Sequence, residues 1–265
     1  MAKLEPLWLH LHGMAERMGE ASSLAVATDY DGTVTPIVSH PGEAELPARA
    51  RRALETLAGV KGARVMVLSG RALDDLRKQI GVQGVALCGN AGLESENEQG
   101  EREMHVPPGK EVPVSLRTEL EAWCQRFPGA WLEDKGHSVA LHYRNVPQRF
   151  QGAFGAGVRR RARPHRGAAT LVHGKKVFEV MPAISWNKAD ALERWWDNRG
   201  MLFFFGDDTN DEPVHARVSE KGGTAVAVGR VVSKAGYALR GPNEVVWFLE
   251  WLSREWQERH AALGD

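Results

Sequence analysis

The apolar run 24–27 ends in Asp29-Tyr30-Asp31-Gly32-Thr33. A run that apolar reads as a strand buried on both faces, so two carboxylates stand where such a strand leaves the core. Two bare carboxylates that close repel, and one resists ionising. A divalent cation removes the conflict, because hard cations such as Mg2+ take oxygen ligands. One carboxylate can then attack a phosphoryl group while the other moves a proton. Taken alone, the string reads equally as an Asp-rich turn, with Gly32 allowing the bend and the Thr33 hydroxyl bonding locally to hold it.

Further apolar runs at 64–68, 85–88 and 201–205 repeat the pattern, and 224–228 is a fifth. Helical patterns alternate with them: 47–60, with Ala50, Ala53, Leu54 and Leu57 on one face, then 73–80 and 188–198. Strands alternating with helices predict an α/β fold with a Rossmann-like, doubly wound parallel sheet. The Trp-rich stretch 243–263 closes the chain as an amphipathic helix. Five of the nine tryptophans fall within 195–256, and they are expected to pack helices on the sheet rather than to stack on a ligand.

The middle of the chain reads differently. It predicts a helix at 114–127, a hairpin of 131–134 and 138–143 around Gly136, a helix at 150–163, and a hairpin of 171–173 and 176–181 around Gly174. This α+β unit, 105–182, is inserted into a core made of 1–104 and 183–265, with Pro107-Pro108-Gly109 and Pro182 as hinges. Ligand crevices in open α/β sheets lie at the carboxyl ends of the strands. A lid over that crevice, opening and closing, is the expected role of the insert.

Lys plus Arg and Asp plus Glu number 34 each, so global charge gives no case for nucleic acid or an anionic membrane as partner. Residues 1–14 alternate apolar and charged, which predicts neither a signal peptide nor a spanning helix. Cys88 and Cys124 lack metal-type spacing and read as reduced thiols of a cytoplasmic, monomeric protein.

Three more strings sit at strand ends or helix starts. Ser69-Gly70-Arg71 offers a hydroxyl, an amide and a planar cation to a phosphoryl oxygen, although Ser69 or Asp74 also suits a helix N-cap. Lys188 begins a helix, where a cation is mildly unfavourable with the dipole, and it could neutralise a nucleophile and a phosphoryl group together. Gly206-Asp207-Asp208-Thr209-Asn210-Asp211-Glu212 follows Phe203-Phe204-Phe205, so four acids leave the core at the edge used by Asp29.

In this order, Asp29-x-Asp31-Gly32-Thr33, Ser69, Lys188 and Gly206-Asp207-x-x-Asn210-Asp211 resemble the haloacid dehalogenase-type phosphatase superfamily. The resemblance implies that Asp29 forms an aspartyl-phosphate and that Asp31 protonates the leaving oxygen and then activates water. Ser69 and Lys188 would bind the phosphoryl group. Mg2+ would be held by Asp29, Asp207 and the Asp31 carbonyl, with Asp208 or Asp211 in support. An insert between the second and third motifs would select the substrate.

On that insert, alternation places Ser138, Ala140, His142 and Arg144 on one face, with Glu133 and Lys135 beside them and Lys175, Val177, Glu179 and Met181 on the last strand. A surface of Glu133, Lys135, His142, Arg144 and Glu179 suits sugar hydroxyls, though the solvated face of any half-buried sheet is also polar. Glu133-x-Lys135-x-x-Ser138, His142-Tyr143-Arg144 and Lys175-Lys176-Val177-Phe178-Glu179-Val180-x-Pro182 resemble the lid of trehalose-6-phosphate phosphatases. After the third strand, Gly89-Asn90-Ala91-Gly92-Leu93-Glu94 carries Asn90 and Ala91 where that family has a His, so Asn90 and Arg71 complete the expected substrate-binding set. The resemblance implies a Mg2+-dependent phosphatase acting on trehalose 6-phosphate. Alternatives are a phosphatase for sucrose phosphate or a glycosyl-phosphoglycerate, a phosphomutase, or a binding module without catalysis. Arg159, Arg160, Arg161, Arg163 and Arg166 form a basic cluster that reads as a solvated helix face.

Overall fold

Strand β2 (Leu24–Asp29) is buried along its whole length, as its apolar run requires. It lies between two parallel neighbours, β3 (Ala63–Leu68) and β11 (Met201–Gly206). Beyond β3 come β4 (Val85–Gly89), the antiparallel β5 (Glu94–Glu96) and β6 (Arg102–Met104); beyond β11 come β12 (Thr224–Val228), β13 (Tyr237–Leu239) and β1 (Glu5–Pro6). These short outer strands extend the five expected ones to a nine-stranded sheet. The computed structural model describes residues 4–38, 44–174, 176–230 and 232–261, so Lys175 and the last two residues of the expected closing helix lie outside the described residues.

Both faces of this sheet are covered, which is why its central strands are apolar throughout. Helices α1 (Leu11–Glu20), α2 (Ala48–Ala58), α3 (Leu73–Ile80) and α8 (Pro242–Ala261) share one core with Val26, Val65, Val67, Phe203 and Phe205. On the other face Ala25, Ala27, Leu202 and Phe204 are equally buried, and so are Ala189 and Leu192 of α6 (Lys188–Trp195) and Val214 and Val218 of α7 (Glu212–Glu220). The doubly wound α/β reading therefore holds. Of the α8 tryptophans, Trp256 is buried, but Trp247 is 59% exposed and lies under the Arg49 guanidinium. Helical spacing turns Val245, Phe248, Leu249 and Leu252 inward and leaves Trp247 outside, so the expected packing role fails for that residue.

The chain divides into two compact units, Met1–Glu103 with Asn187–Asp265, and Met104–Trp186. The second has its own core. Strands β7 (Trp131–Asp134), β8 (Val139–His142), β10 (Val177–Pro182) and β9 (Ala169–Gly174) form an antiparallel sheet in that order. Val139, Leu141, Phe178 and Val180 turn to one face and pack on Leu116 and Leu120 of α4 (Val114–Cys124) and Phe154 and Val158 of α5 (Gln148–Ala162). Gly136 and Lys176 take the positive φ that their hairpin loops need, +80° and +68°. In the basic cluster, Arg159 covers the Phe178 ring and Arg161 the Trp123 ring. Two of its cations thus lie on aromatic faces, a contact that spacing along the chain does not show.

Candidate active site

Parallel pairing decides which residues meet. Asp29 lies opposite Leu68, the last residue of β3, and Thr28 lies opposite Phe205 of β11. Asp29, Ser69 and Asp207 therefore leave the sheet at one edge, the carboxyl ends of adjacent strands. The Tyr30 carbonyl accepts from the amides of Thr33, Val34 and Thr35, and the Gly32 amide donates to the Thr35 carbonyl. Gly32 has φ +86°, and a Cβ there would stand 2.3 Å from Asp207 Oδ2. Glycine thus serves both the turn and the close approach of Asp207. The Thr33 hydroxyl, expected to hold the turn, is buried and has no hydrogen-bond partner among the described residues; the backbone bonds hold the turn instead.

Carboxylate oxygens of Asp29, Asp207 and Asp211 lie within 4.8 Å of one another. Lys188 Nζ donates to Asp29 Oδ1 at 2.7 Å and to Asp211 Oδ1 at 2.9 Å. Asn187 and Asp190 form a capping box that starts α6 at this point, so the lysine occupies the first helical position. Asp29, Lys188 and Asp211 are all buried. Burial pushes the Asp29 carboxyl well above the ordinary carboxylate range, Asp211 and Asp207 add to the shift, and Lys188 offsets part of it. Burial alone would lower Lys188, but Asp211 and Asp29 outweigh it and hold the ammonium above its usual value. Asp29 and Asp211 share one ammonium, with Asp207 beside them, so when both are ionised that pair is short of positive charge. An all-oxygen donor set with that deficit, and an unpartnered buried hydroxyl in the adjoining turn, fits a hard divalent cation.

Asp31 was expected to offer its carbonyl, and its carboxylate points elsewhere, as does that of Asp208, one of the two acids offered in support. The Asp31 carboxylate takes a two-pronged contact from Arg71, Nε at 2.7 Å and Nη2 at 2.8 Å. The Asp208 carboxylate accepts from the Thr209 amide at 2.7 Å and caps its own turn, while the Asp208 amide donates to Asp211 Oδ2. Asp208 thus braces Asp211, and its carboxylate is spent locally.

The helix-cap reading of Ser69 and Asp74 does not hold. The N-cap position of α3 is Ala72, which has no side chain to offer, and Asp74 pairs with Arg102. Glu94 Oε1 accepts from the Leu73 amide at 3.0 Å and so takes over the capping task from 21 residues away. Ser69 Oγ accepts from the Arg71 amide at 3.1 Å. The turn after β4 closes over the same residues: the Asn90 amide donates to the Arg71 carbonyl and the Ala91 amide to the Ser69 carbonyl. Asn90 and Ala91 both adopt positive φ, 49° and 55°, and Asn90 Nδ2 donates to Glu94. Two consecutive non-glycine residues in that region carry strain, held by these bonds. A Cβ at Gly92 would stand 2.5 Å from the Asn187 carbonyl carbon, so this turn is also pressed against the start of α6.

In the second unit, Glu133 and Glu179 flank Ala140 in register, so one sheet face carries both, with His142 two residues along. His142 Nε2 meets Glu133 Oε2 at 2.8 Å, and Lys135 Nζ donates to Glu179 Oε1 at 3.0 Å. Arg144 lies just past β8, which ends at His142; the Val146 amide turns back to the Tyr143 carbonyl, and Arg144 is exposed in that turn. Trp131, absent from the expected set, stacks on His142 with ring centres 4.1 Å apart. Strand alternation and the antiparallel register could have found it. Asp75, which accepts from Arg71 Nη1 at 2.7 Å, was legible as an i, i+4 pair. The capping role of Glu94 had no local signal.

Comparison with known proteins supports the same grouping. A family model described as trehalose-phosphatase matches residues 27–243. The chain is 30% identical over 254 residues to trehalose-phosphate phosphatase of Mycobacterium tuberculosis, covering 88% of this chain and 62% of that protein. It is 31% identical over 252 residues to the Mycobacterium leprae protein of the same name, covering 87% and 58%. The chain therefore spans about six-tenths of the length of these curated relatives. In fold it is similar to the C-terminal domain of Candida albicans trehalose-6-phosphate phosphatase, with TM-score 0.84, 20% identity and coverage of 96% and 98%. It is also similar in fold to a haloacid dehalogenase-like hydrolase from Bacteroides thetaiotaomicron, with TM-score 0.63, 16% identity and coverage of 87% and 99%. With the family's strand-end acids, serine and lysine gathered at one sheet edge, the chain belongs to the trehalose-phosphatase family.

Proposed function

We propose that this chain hydrolyses trehalose 6-phosphate to trehalose and inorganic phosphate. The observation that carries the proposal is the Asp29 carboxylate, buried, bonded to Lys188 and gathered with Asp207 and Asp211 at the carboxyl end of β2. Asp29 attacks phosphorus as the bond to the sugar oxygen breaks, and Asp31 gives its proton to that oxygen. Asp31 then takes a proton from water as the water oxygen bonds to phosphorus and the Asp29–phosphorus bond breaks. Lys188 favours the ionised form of Asp29 and lies beside the incoming phosphoryl charge, and the Ser69 hydroxyl binds a phosphoryl oxygen. Asp29, Asp207, Asp211 and the Asp31 carbonyl would hold Mg2+, which supplies positive charge to the phosphoryl oxygens when bound. Sugar contacts are assigned to Glu133, Lys135, His142, Arg144 and Glu179 of the second unit.

The experiment is phosphate release from trehalose 6-phosphate by the purified protein and by Asp29→Asn, with and without EDTA. Wild type should turn over with Mg2+ and stop with EDTA, and the variant should lose at least about 10^3-fold in kcat. Unchanged release by Asp29→Asn would refute the covalent route. A second reading, another glycosyl phosphate as substrate, is favoured by Asn90 standing where the family carries His; faster turnover of sucrose phosphate or a glycosyl-phosphoglycerate would select it.

A further inference from the structure

Arg71 was read from the sequence as a donor to the phosphoryl group, and its surroundings say otherwise. Its guanidinium meets both oxygens of Asp31, through Nε at 2.7 Å and Nη2 at 2.8 Å, and its third nitrogen, Nη1, meets Asp75 Oδ2 at 2.7 Å. The guanidinium carbon lies 5.2 Å from the centre of the Tyr30 ring. The backbone is pinned as well, the amide on Ser69 Oγ and the carbonyl under the Asn90 amide. Only 5% of the residue is exposed. A planar fork facing a carboxylate edge-on fixes both distance and direction, which a single point contact does not.

Asp31 needs such a fixture. It stands two residues from Asp29, at the edge of a cluster already short of positive charge. Left alone, its carboxylate would be drawn to any cation bound there. Arg71 gives it a different partner and a set orientation, and Asp75, one helical turn along α3, keeps the guanidinium in place. Moving Arg71 onto a phosphoryl group would break part-buried, charge-assisted contacts on two carboxylates at once.

We infer that Arg71 is a positioning residue for Asp31: braced by Asp75 and the Tyr30 ring, it aims the Asp31 carboxylate and does not bind the phosphoryl group. The inference rests on the reading in which Asp31 passes a proton to the ester oxygen and later takes one from water.

Two measurements test it. The first compares kcat and KM of wild type, Arg71→Met, Arg71→Lys, Asp75→Asn and Asp31→Asn on trehalose 6-phosphate with the nitrophenolate burst from p-nitrophenyl phosphate. A nitrophenolate leaves without a proton, so its burst reports attack by Asp29 and not proton donation. Arg71→Met should lose about 10^2-fold to 10^3-fold in kcat on the sugar phosphate, with KM within about twofold and the burst rate within about threefold. Asp75→Asn should show the same split at about a tenth of the size, and Arg71→Lys should recover only part of the loss, because an ammonium cannot fork. A tenfold rise in KM with kcat kept, or a burst that falls in step with sugar-phosphate turnover, would overturn the inference. Asp31→Asn separates the two readings. If it leaves turnover unchanged, the role of Asp31 fails; if it slows turnover while Arg71→Met does not, only the inference about Arg71 fails. The second measurement needs no turnover: a crystal structure of the wild-type protein with Mg2+ and beryllofluoride. Nε and Nη2 should stay on Asp31, and finding them on the fluorides would sink the proposal.

Discussion

The two units each carry a polar constellation, and the two are built on opposite terms. In the first, Asp29, Asp211 and Lys188 are buried, and two carboxylates share one ammonium with Asp207 beside them. In the second, Glu133 meets His142 and Lys135 meets Glu179 on a sheet face, each contact joining one acid to one base. The first set is incomplete without a further positive charge. The second has its partners and can trade them for hydroxyls of a bound ligand. Burial sharpens the contrast: a charge fully out of water must be matched by fixed neighbours or by an ion, whereas the pairs of the second unit are mostly covered but keep some contact with water. On the function proposed above, an insert that accepts and releases a neutral sugar gains from the second arrangement, and a centre that holds a nucleophile beside a phosphoryl group gains from the first.

Removing the ammonium should break the comparison most severely. Lys188→Met leaves Asp29 and Asp211 facing each other without a cation, and unfolding in urea should show a loss of about 3–5 kcal/mol. Equal stability of variant and wild type would mean that the cluster is not held by this lysine.

Supplying the missing charge should act in the opposite direction. Mg2+ at a hundred times its Kd should stabilise the ion-free protein by about 2.7 kcal/mol, read as a shift of the urea midpoint. The pH dependence follows from Asp29. Its folded-state pKa is raised above the unfolded value, so the ion-free protein holds that proton more tightly when folded. Stability of the ion-free form therefore falls as pH rises from the ordinary carboxylate range through the raised value. Protons and Mg2+ compete for the same oxygens, so the gain from Mg2+ should be small in acid and grow as pH rises. A gain independent of pH would place the ion elsewhere. Lys188, raised in the folded state, gives stability that is complete below its ordinary value near 10.5 and lost only at higher pH.

The smallest effect on stability belongs to the second unit. Lys135→Met should cost about 1–2 kcal/mol, since the ammonium is largely covered while Glu179 keeps some contact with water. Its effect on function should be selective: about a tenfold rise in KM for trehalose 6-phosphate, with p-nitrophenyl phosphate hydrolysis unchanged. An equal loss on both compounds would remove the division of labour between the two constellations.

Much of this was legible along the chain. Residues 24–28, 64–68, 85–88 and 201–205 are apolar for as long as a strand buried on both faces must be, and each lies within a strand of one sheet. Strand-end chemistry, at Asp29, Ser69 and Asp207, follows from those strands being parallel neighbours, since parallel order brings like ends together. The short outer strands at 5–6, 94–96, 102–104 and 237–239 were not legible, because two or three residues carry no periodicity. Nor was the cap of α3, which comes from Glu94 across the fold.

By itself, then, the order of residues determined the layered α/β framework, the inserted α+β unit and the edge at which acids, serine and lysine would gather, because burial and alternation are local demands written into each segment. Only the tertiary structure decided how those charges are shared. Asp29 and Asp31 are the same residue type two positions apart, yet one is bonded to Lys188 and the other is held by Arg71. Asp208 and Asp211 divide in the same way, one capping its own turn and the other joining Lys188. A carboxylate takes the cation that the fold brings within reach, and that distance is set by elements far apart in the chain.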